Sequence, residues 1–147
     1  SLLALALTVG LTWAGSVWMA AQATAKPQMT VYKSATCGCC EKWVEHMRAQ
    51  GFDVKTHDVE DVPGQRKKLG MPDAYGSCHT AKVGNYLIEG HVPAADVQRL
   101  LKEKPKAVGL AAPGMPQGSP GMESAKPMPY ETLLVKADGS TSVFARH

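Results

Sequence analysis

Cys37, Cys39 and Cys40 lie within four consecutive residues, Cys37-Gly38-Cys39-Cys40, and the fourth cysteine, Cys78, stands far along the chain. Clustered thiols do two kinds of chemistry, disulfide exchange and the binding of soft metal ions. Cys37 and Cys40 form a C-x-x-C pair at an expected helix start. Unpaired backbone N–H groups and the helix dipole there raise the thiolate fraction, which serves either chemistry. Cys39 tilts the balance. A third thiol beside an exchanging pair would trap wrong disulfides, whereas three crowded thiolates favour a metal. Purely structural bridging fits poorly, because adjacent cysteines such as Cys39 and Cys40 pair only in a strained geometry.

Four cysteines can hold one zinc ion tetrahedrally, and structural zinc sites take them as spaced pairs. A packed C-x-C-C suits bridging, in which each sulfur serves two ions. Among the metals that fit, soft thiolates select Cu(I). Equal numbers of Cu(I) and thiolate are neutral together and therefore cheap to bury. The reading is a copper–thiolate cluster of several ions on Cys37, Cys39, Cys40 and Cys78, with a single zinc as the alternative.

Other side chains could complete such a site. His79 follows Cys78 directly. Strand neighbours point to opposite faces, but the rule is loose at a strand's first residue, so ligation and close support are both open. His91 precedes the final helix of the main domain and is open to the same two roles or to a surface one. Met115 and Met122 lie in a Gly/Pro-rich stretch with no apolar stripe to join. Their thioethers suit Cu(I), and Met115 is taken as the candidate ligand. His46 is set aside: seven residues beyond Cys39 is about 10 Å along a helix. His57 and His147 are expected to be solvated, and Met47 and Met71 to be ordinary packing. Trp43 is expected to cover the cluster's apolar side.

The positioning elements follow from periodicity. Residues 29–33 read as a strand, 39–50 as a helix burying Cys40, Val44 and Met47, and 52–59 as a second strand. A short helix over 63–69 starts near Pro63. Strands at 81–83 and 86–89 flank a Gly84-Asn85 hairpin turn. A helix over 93–101 buries Val97, Leu100 and Leu101. The order β-α-β-α-β-β-α is that of an α/β thioredoxin-like domain, with the cluster at its first strand-to-helix turn. In such folds the segment before the third strand packs beside that turn and usually carries a cis-proline; here it carries Cys78-His79. Residues 104–129 hold six prolines, four glycines and three methionines and are expected to be an irregular loop. Strands at 132–136 and 141–145 form a C-terminal β-hairpin around Asp138-Gly139.

Residues 1–25 carry no charged side chain and end in small residues that fit a signal-peptidase site. They read as a secretory signal peptide, with a retained membrane anchor as the other reading. The domain over 26–147 is then expected in the periplasm, touching the membrane only through that segment. A net charge of +3, with no basic stripe interleaved with aromatics, sets nucleic acid aside.

The run Cys37-Gly38-Cys39-Cys40, then Gly76-Ser77-Cys78-His79-Thr80-Ala81 and Glu89-Gly90-His91-Val92-Pro93, closely resembles the CopG-type bacterial copper-resistance proteins. Pro113-Gly114-Met115-Pro116 and Gly118-Ser119-Pro120-Gly121-Met122-Glu123 fit the same family. The resemblance spans residues 29–147. It implies a thioredoxin-like fold, an envelope location, a cysteine-bridged copper cluster and interconversion of Cu(I) and Cu(II), with other envelope copper-resistance proteins as partners. Three functions stay open: a copper oxidoreductase, a carrier or store without turnover, and a thiol–disulfide oxidoreductase using Cys37 and Cys40.

Overall fold

The computed structural model describes residues 24–147. The apolar segment expected to be a signal peptide or anchor lies, but for its last two residues, outside the described part. Among the described residues, no helix is long and apolar enough to cross a membrane.

The chain forms a mixed α/β fold. Strand β1 (Gln28–Lys33) buries alternate residues, Met29, Val31 and Lys33, as its period requires. Helix α1 (Gly38–Ala49) buries Cys40, Trp43, Val44 and Met47, an i, i+3, i+4, i+7 stripe that presses it onto the sheet. It stops at Gln50, after which Gly51 takes a φ of +96°. Strand β2 (Asp53–Asp58) runs parallel to β1, and its mostly exposed side chains mark it as a sheet edge. Helix α2 (Val62–Leu69) is capped by Asp61, whose carboxylate accepts from the Gly64 N–H at 2.9 Å.

A single 3₁₀ turn, Asp73–Tyr75, leads to β3 (His79–Val83), which pairs antiparallel with β1. β4 (Tyr86–Gly90) returns through the Gly84-Asn85 turn. Helix α3 (Ala94–Glu103) buries Val97 and Leu100 and leaves Leu101 half-buried. Its first N–H, on Ala94, has no side-chain cap of its own. His46 supplies one from α1, its Nε2 accepting at 3.1 Å. That contact is the structural use of the histidine set aside as a ligand.

One expectation is corrected. The stretch 104–129 is not irregular throughout: Gly109–Ala112 forms a strand, β5, parallel to β4. All four of its residues are buried. It lacks β-branched and aromatic residues and sits among prolines and glycines, so periodicity passes over it. Gly109 is required there, since a Cβ would fall 1.7 Å from the Leu87 carbonyl oxygen. β5 also changes the status of the C-terminal hairpin, β6 (Glu131–Val135) and β7 (Thr141–Arg146). β6 pairs antiparallel with β5, so the hairpin continues one seven-stranded sheet in the order β2-β1-β3-β4-β5-β6-β7.

Candidate metal centre

Cys37 is the residue at which α1 begins. Its N–H donates to the Ser34 carbonyl and its own carbonyl accepts from the Glu41 N–H, both at 3.2 Å. Lys33, at the end of β1, is buried and pairs with Glu41 in the first turn of α1 and with Asp58 at the end of β2. The turn is thereby tied to both strands below it. Cys40 points inward and is fully buried, while Cys39 and Cys78 are half-buried. Cys37 and Cys40 are joined as a disulfide, and Cys39 and Cys78 are free thiols.

The distant cysteine does arrive. The four Sγ atoms all lie within 4.8 Å of one another. Cys39 Sγ is 3.6 Å from Cys37 Sγ and 3.9 Å from Cys78 Sγ. Cys78 belongs to a second group as well, with His79 and His91, whose donor atoms also lie within 4.8 Å of each other. Its Sγ is 3.0 Å from His91 Nε2 and 3.4 Å from His79 Nδ1. Cys78 stands just before β3, outside the regular alternation, which is why its side chain and that of His79 reach the same pocket.

His91 is oriented with the lone pair of its Nε2 facing the sulfur. His91 Nδ1 sits 2.8 Å from the Pro120 carbonyl oxygen, which fixes that nitrogen as the donor and leaves Nε2 as an acceptor. His79 is wholly buried, with the Trp43 ring 4.4 Å away and His91 edge-on at 5.1 Å. Among the described residues, its Nε2 has no hydrogen-bond partner. Burial, with the neighbouring His91 adding to it, pushes the His79 pKa down to about 3, so the ring is neutral at any ordinary pH. Burial likewise lowers the pKa of His91. Burial, and then the adjacent Cys39, push the Cys78 thiol up to about 12. Coordination reverses that order, because a metal-bound thiol is deprotonated. Trp43 itself is anchored by its indole N–H, which donates to the Val92 carbonyl at 2.9 Å.

A loop covers the pocket. Gly121 lies against the first turn of α1 with φ +85°, and a Cβ there would meet the Cys39 carbonyl oxygen at 2.7 Å and the Trp43 backbone nitrogen at 2.9 Å. Only glycine lets residues 118–122 come this close. Met122 on that loop is half-buried, whereas Met115 is 52% exposed. His57 is exposed and stacks on Tyr32. His147 is exposed, as expected, and also bonds the buried Asp96 carboxylate at 2.8 Å and stacks on Tyr130. Four participants had no assigned role from sequence: the Pro120 carbonyl, Ser77, Arg66 and Glu89. Glu89 and Ser77 stand inside distinctive local motifs, but Arg66 is one cation among several on a short helix and gives no signal.

A family model described as a protein of unknown function, DUF411, matches residues 75–122. No curated protein sequence matches the chain. Solved structures named copper resistance protein CopG, form 2 and form 1, are 41% identical to it. They cover 83% of this chain and 98% of their own, with TM-scores of 0.79 and 0.78. The chain belongs to the CopG family of copper-resistance proteins. A periplasmic location accords with CopG membership. In this CopG-family chain the DUF411 match takes in Cys78, His79, His91 and the covering loop, and stops short of the Cys37–Cys40 turn.

Proposed function

We propose that this protein is a periplasmic copper-binding protein that holds several copper ions bridged by Cys37, Cys39, Cys40 and Cys78. In this reading it interconverts Cu(I) and Cu(II) as part of copper resistance, on a thioredoxin-like frame made by β1 to α3. The observation that carries it is the double membership of Cys78. Its sulfur belongs to a four-sulfur group, whose softness favours Cu(I), and to a Cys-His-His group, whose imidazoles accept Cu(II) as well. A purely thiolate site would hold Cu(I) too firmly to cycle. The buried, neutral His79, whose Nδ1 lies 3.4 Å from the Cys78 sulfur, and the oriented His91 supply the missing nitrogen donors. Met115 is proposed as a further thioether ligand, brought by the loop whose Gly114 backbone bonds Gly76 and Ser77. Copper supplies the one-electron exchange; the chain's own groups set ligand type, exclude water through Trp43 and Gly121, and keep the histidines neutral. All four sulfurs become donors once an external dithiol reduces the Cys37–Cys40 disulfide, giving up two electrons and two protons and closing to a disulfide itself.

Elemental analysis with copper-edge absorption of protein taken from the periplasm tests the reading. Several coppers per chain are expected, and one zinc without copper would overturn it. A His79→Ala, His91→Ala variant should retain copper yet lose repeated Cu(I)/Cu(II) cycling. If the variant cycles as the parent does, the histidines are not the donors that cycling needs and this mechanism is wrong; a parent that binds copper without repeated cycling is a carrier or store.

The Cys37–Cys40 disulfide favours one second reading, thiol–disulfide exchange at the α1 N-terminus, with Cys37 as the more exposed partner and Cys40 buried. It predicts disulfide reductase activity in metal-free protein that survives in a Cys39→Ala, Cys78→Ala variant. Absence of that activity excludes it.

A further inference from the structure

Cys78 is the sulfur common to both donor groups, yet residues 76–78 form no helix or strand that would hold it still. The residue before it is gripped on every polar atom. The Ser77 N–H donates to Glu89 Oε1 at 2.7 Å, and the Ser77 carbonyl accepts from Arg66 Nη2 at 2.7 Å. Its hydroxyl donates to the Gly114 carbonyl. Arg66 and Glu89 also bond each other, Nε to Oε1 at 2.8 Å, and the Thr80 hydroxyl donates to the remaining carboxylate oxygen. Both members of the pair are buried, Arg66 5% exposed and Glu89 fully enclosed. Two glycines clear the space. A Cβ on Gly76 would lie 2.6 Å from Arg66 Nη1, and one on Gly90 would lie 2.6 Å from Ser77 Cβ.

A buried ion pair of this kind is poor value as a stabiliser, because desolvation consumes most of the attraction and an apolar pair often does as well. Its fork geometry is what an apolar pair cannot reproduce. One guanidinium reaches a carboxylate and a carbonyl at fixed angles, and the same carboxylate takes the N–H of that carbonyl's own residue.

We propose that Arg66 and Glu89 are positioning residues of the metal centre, which clamp both backbone polar groups of Ser77 so that the Cys78 sulfur is presented to Cys39 and to His91. The clamp rests on the reading of Cys78 as a shared metal donor for its purpose, but not for its test. Arg66→Lys keeps a cation for Glu89 and removes the fork to Ser77. A paired Arg66→Met, Glu89→Leu variant removes both charges at similar volume.

With the Cys37–Cys40 disulfide intact, only Cys39 and Cys78 react with iodoacetamide, and peptide mass mapping separates them. In metal-free protein, Cys78 should be alkylated about tenfold faster in either variant than in the parent, as expected for a lost charge-assisted hydrogen bond, while the Cys39 rate stays the same. General loosening would raise both rates, so the selective rise marks positioning. After reduction and loading with Cu(I), both variants should lose copper to a chelator at least about tenfold faster. An unchanged Cys78 rate in a folded variant overturns the proposal. So does failure of both variants to fold, which would make the pair a plain fold determinant. A parent protein that binds no copper sinks the copper reading and leaves the alkylation result standing.

Discussion

Cys37, Cys39 and Cys40 are placed by the first turn of α1, whose backbone bonds run between near neighbours such as Ser34, Cys37 and Glu41. Cys78 is placed by residues drawn from α2, β4 and the stretch after β5, none of them adjacent in the chain. The first region is an ordinary helix start resting on an apolar stripe, with Lys33 tying it to β1 and β2. The second has no local structure to fall back on, and it borrows its rigidity from a buried ion pair and from two glycines that let the pair approach. A metal site assembled from both therefore has one half set mainly by bonds between near neighbours and one half that depends on distant segments of the completed fold.

The contrast can be broken most strongly from the dependent side. Glu89→Ala takes the buried carboxylate from Arg66, leaving it the exposed Asp73 at 3.4 Å and the Ser77 carbonyl, and should lower unfolding stability by about 3 kcal/mol. Urea denaturation measures it, and a loss under about 1 kcal/mol would mean that water reaches Arg66 and the clamp is loose.

On the local side, Trp43→Phe keeps the apolar stripe but strands the buried Val92 carbonyl. A loss of about 1–3 kcal/mol in the same measurement is expected. The α1 helix content by circular dichroism should not change.

Gly121→Ala tests the cover. Its Cβ would press on the Cys39 carbonyl in a left-handed backbone conformation, which costs about 1–3 kcal/mol if the loop stays seated. Lifting the loop is the easier response, so the fold should hold within about 1 kcal/mol. Copper should then leave for a chelator about tenfold faster, because His91 loses the Pro120 carbonyl that orients it. Equal release rates would show that the loop only shields.

Smallest of all, Asp61→Ala removes the α2 cap at a cost of about 1 kcal/mol. It should leave copper number and Cys78 reactivity alone, although Arg66 lies on the same helix. A change in either would extend the clamp to the whole of α2.

Periodicity located the helices to within a residue or two at most of their ends, because α1 and α3 carry apolar stripes at helical spacing. It failed at β5, where Gly109, Leu110, Ala111 and Ala112 lack the side chains that mark strands and are chosen for close approach. At the site, the C-x-C-C run, Cys78 and the two histidines stood out by residue type. Thiols and imidazoles are rare enough in one chain for their spacing to mean something. Met115 stood out for the same reason, yet its side chain is half exposed, and its part in the centre is a proposal. Arg66 was invisible: nothing in the order Gln65-Arg66-Lys67-Lys68 distinguishes the buried cation from the solvated ones beside it.

By itself the sequence determined which donor atoms this protein owns and that three of them share one helix start, since residue type and helical spacing are local properties. Tertiary structure decided that Cys78 meets those three sulfurs on one side and His91 on the other, that His79 is dry and neutral, and that Arg66 is a clamp. Burial and long-range hydrogen bonds exist only between segments that the folded sheet brings together, and no stretch of chain carries them alone.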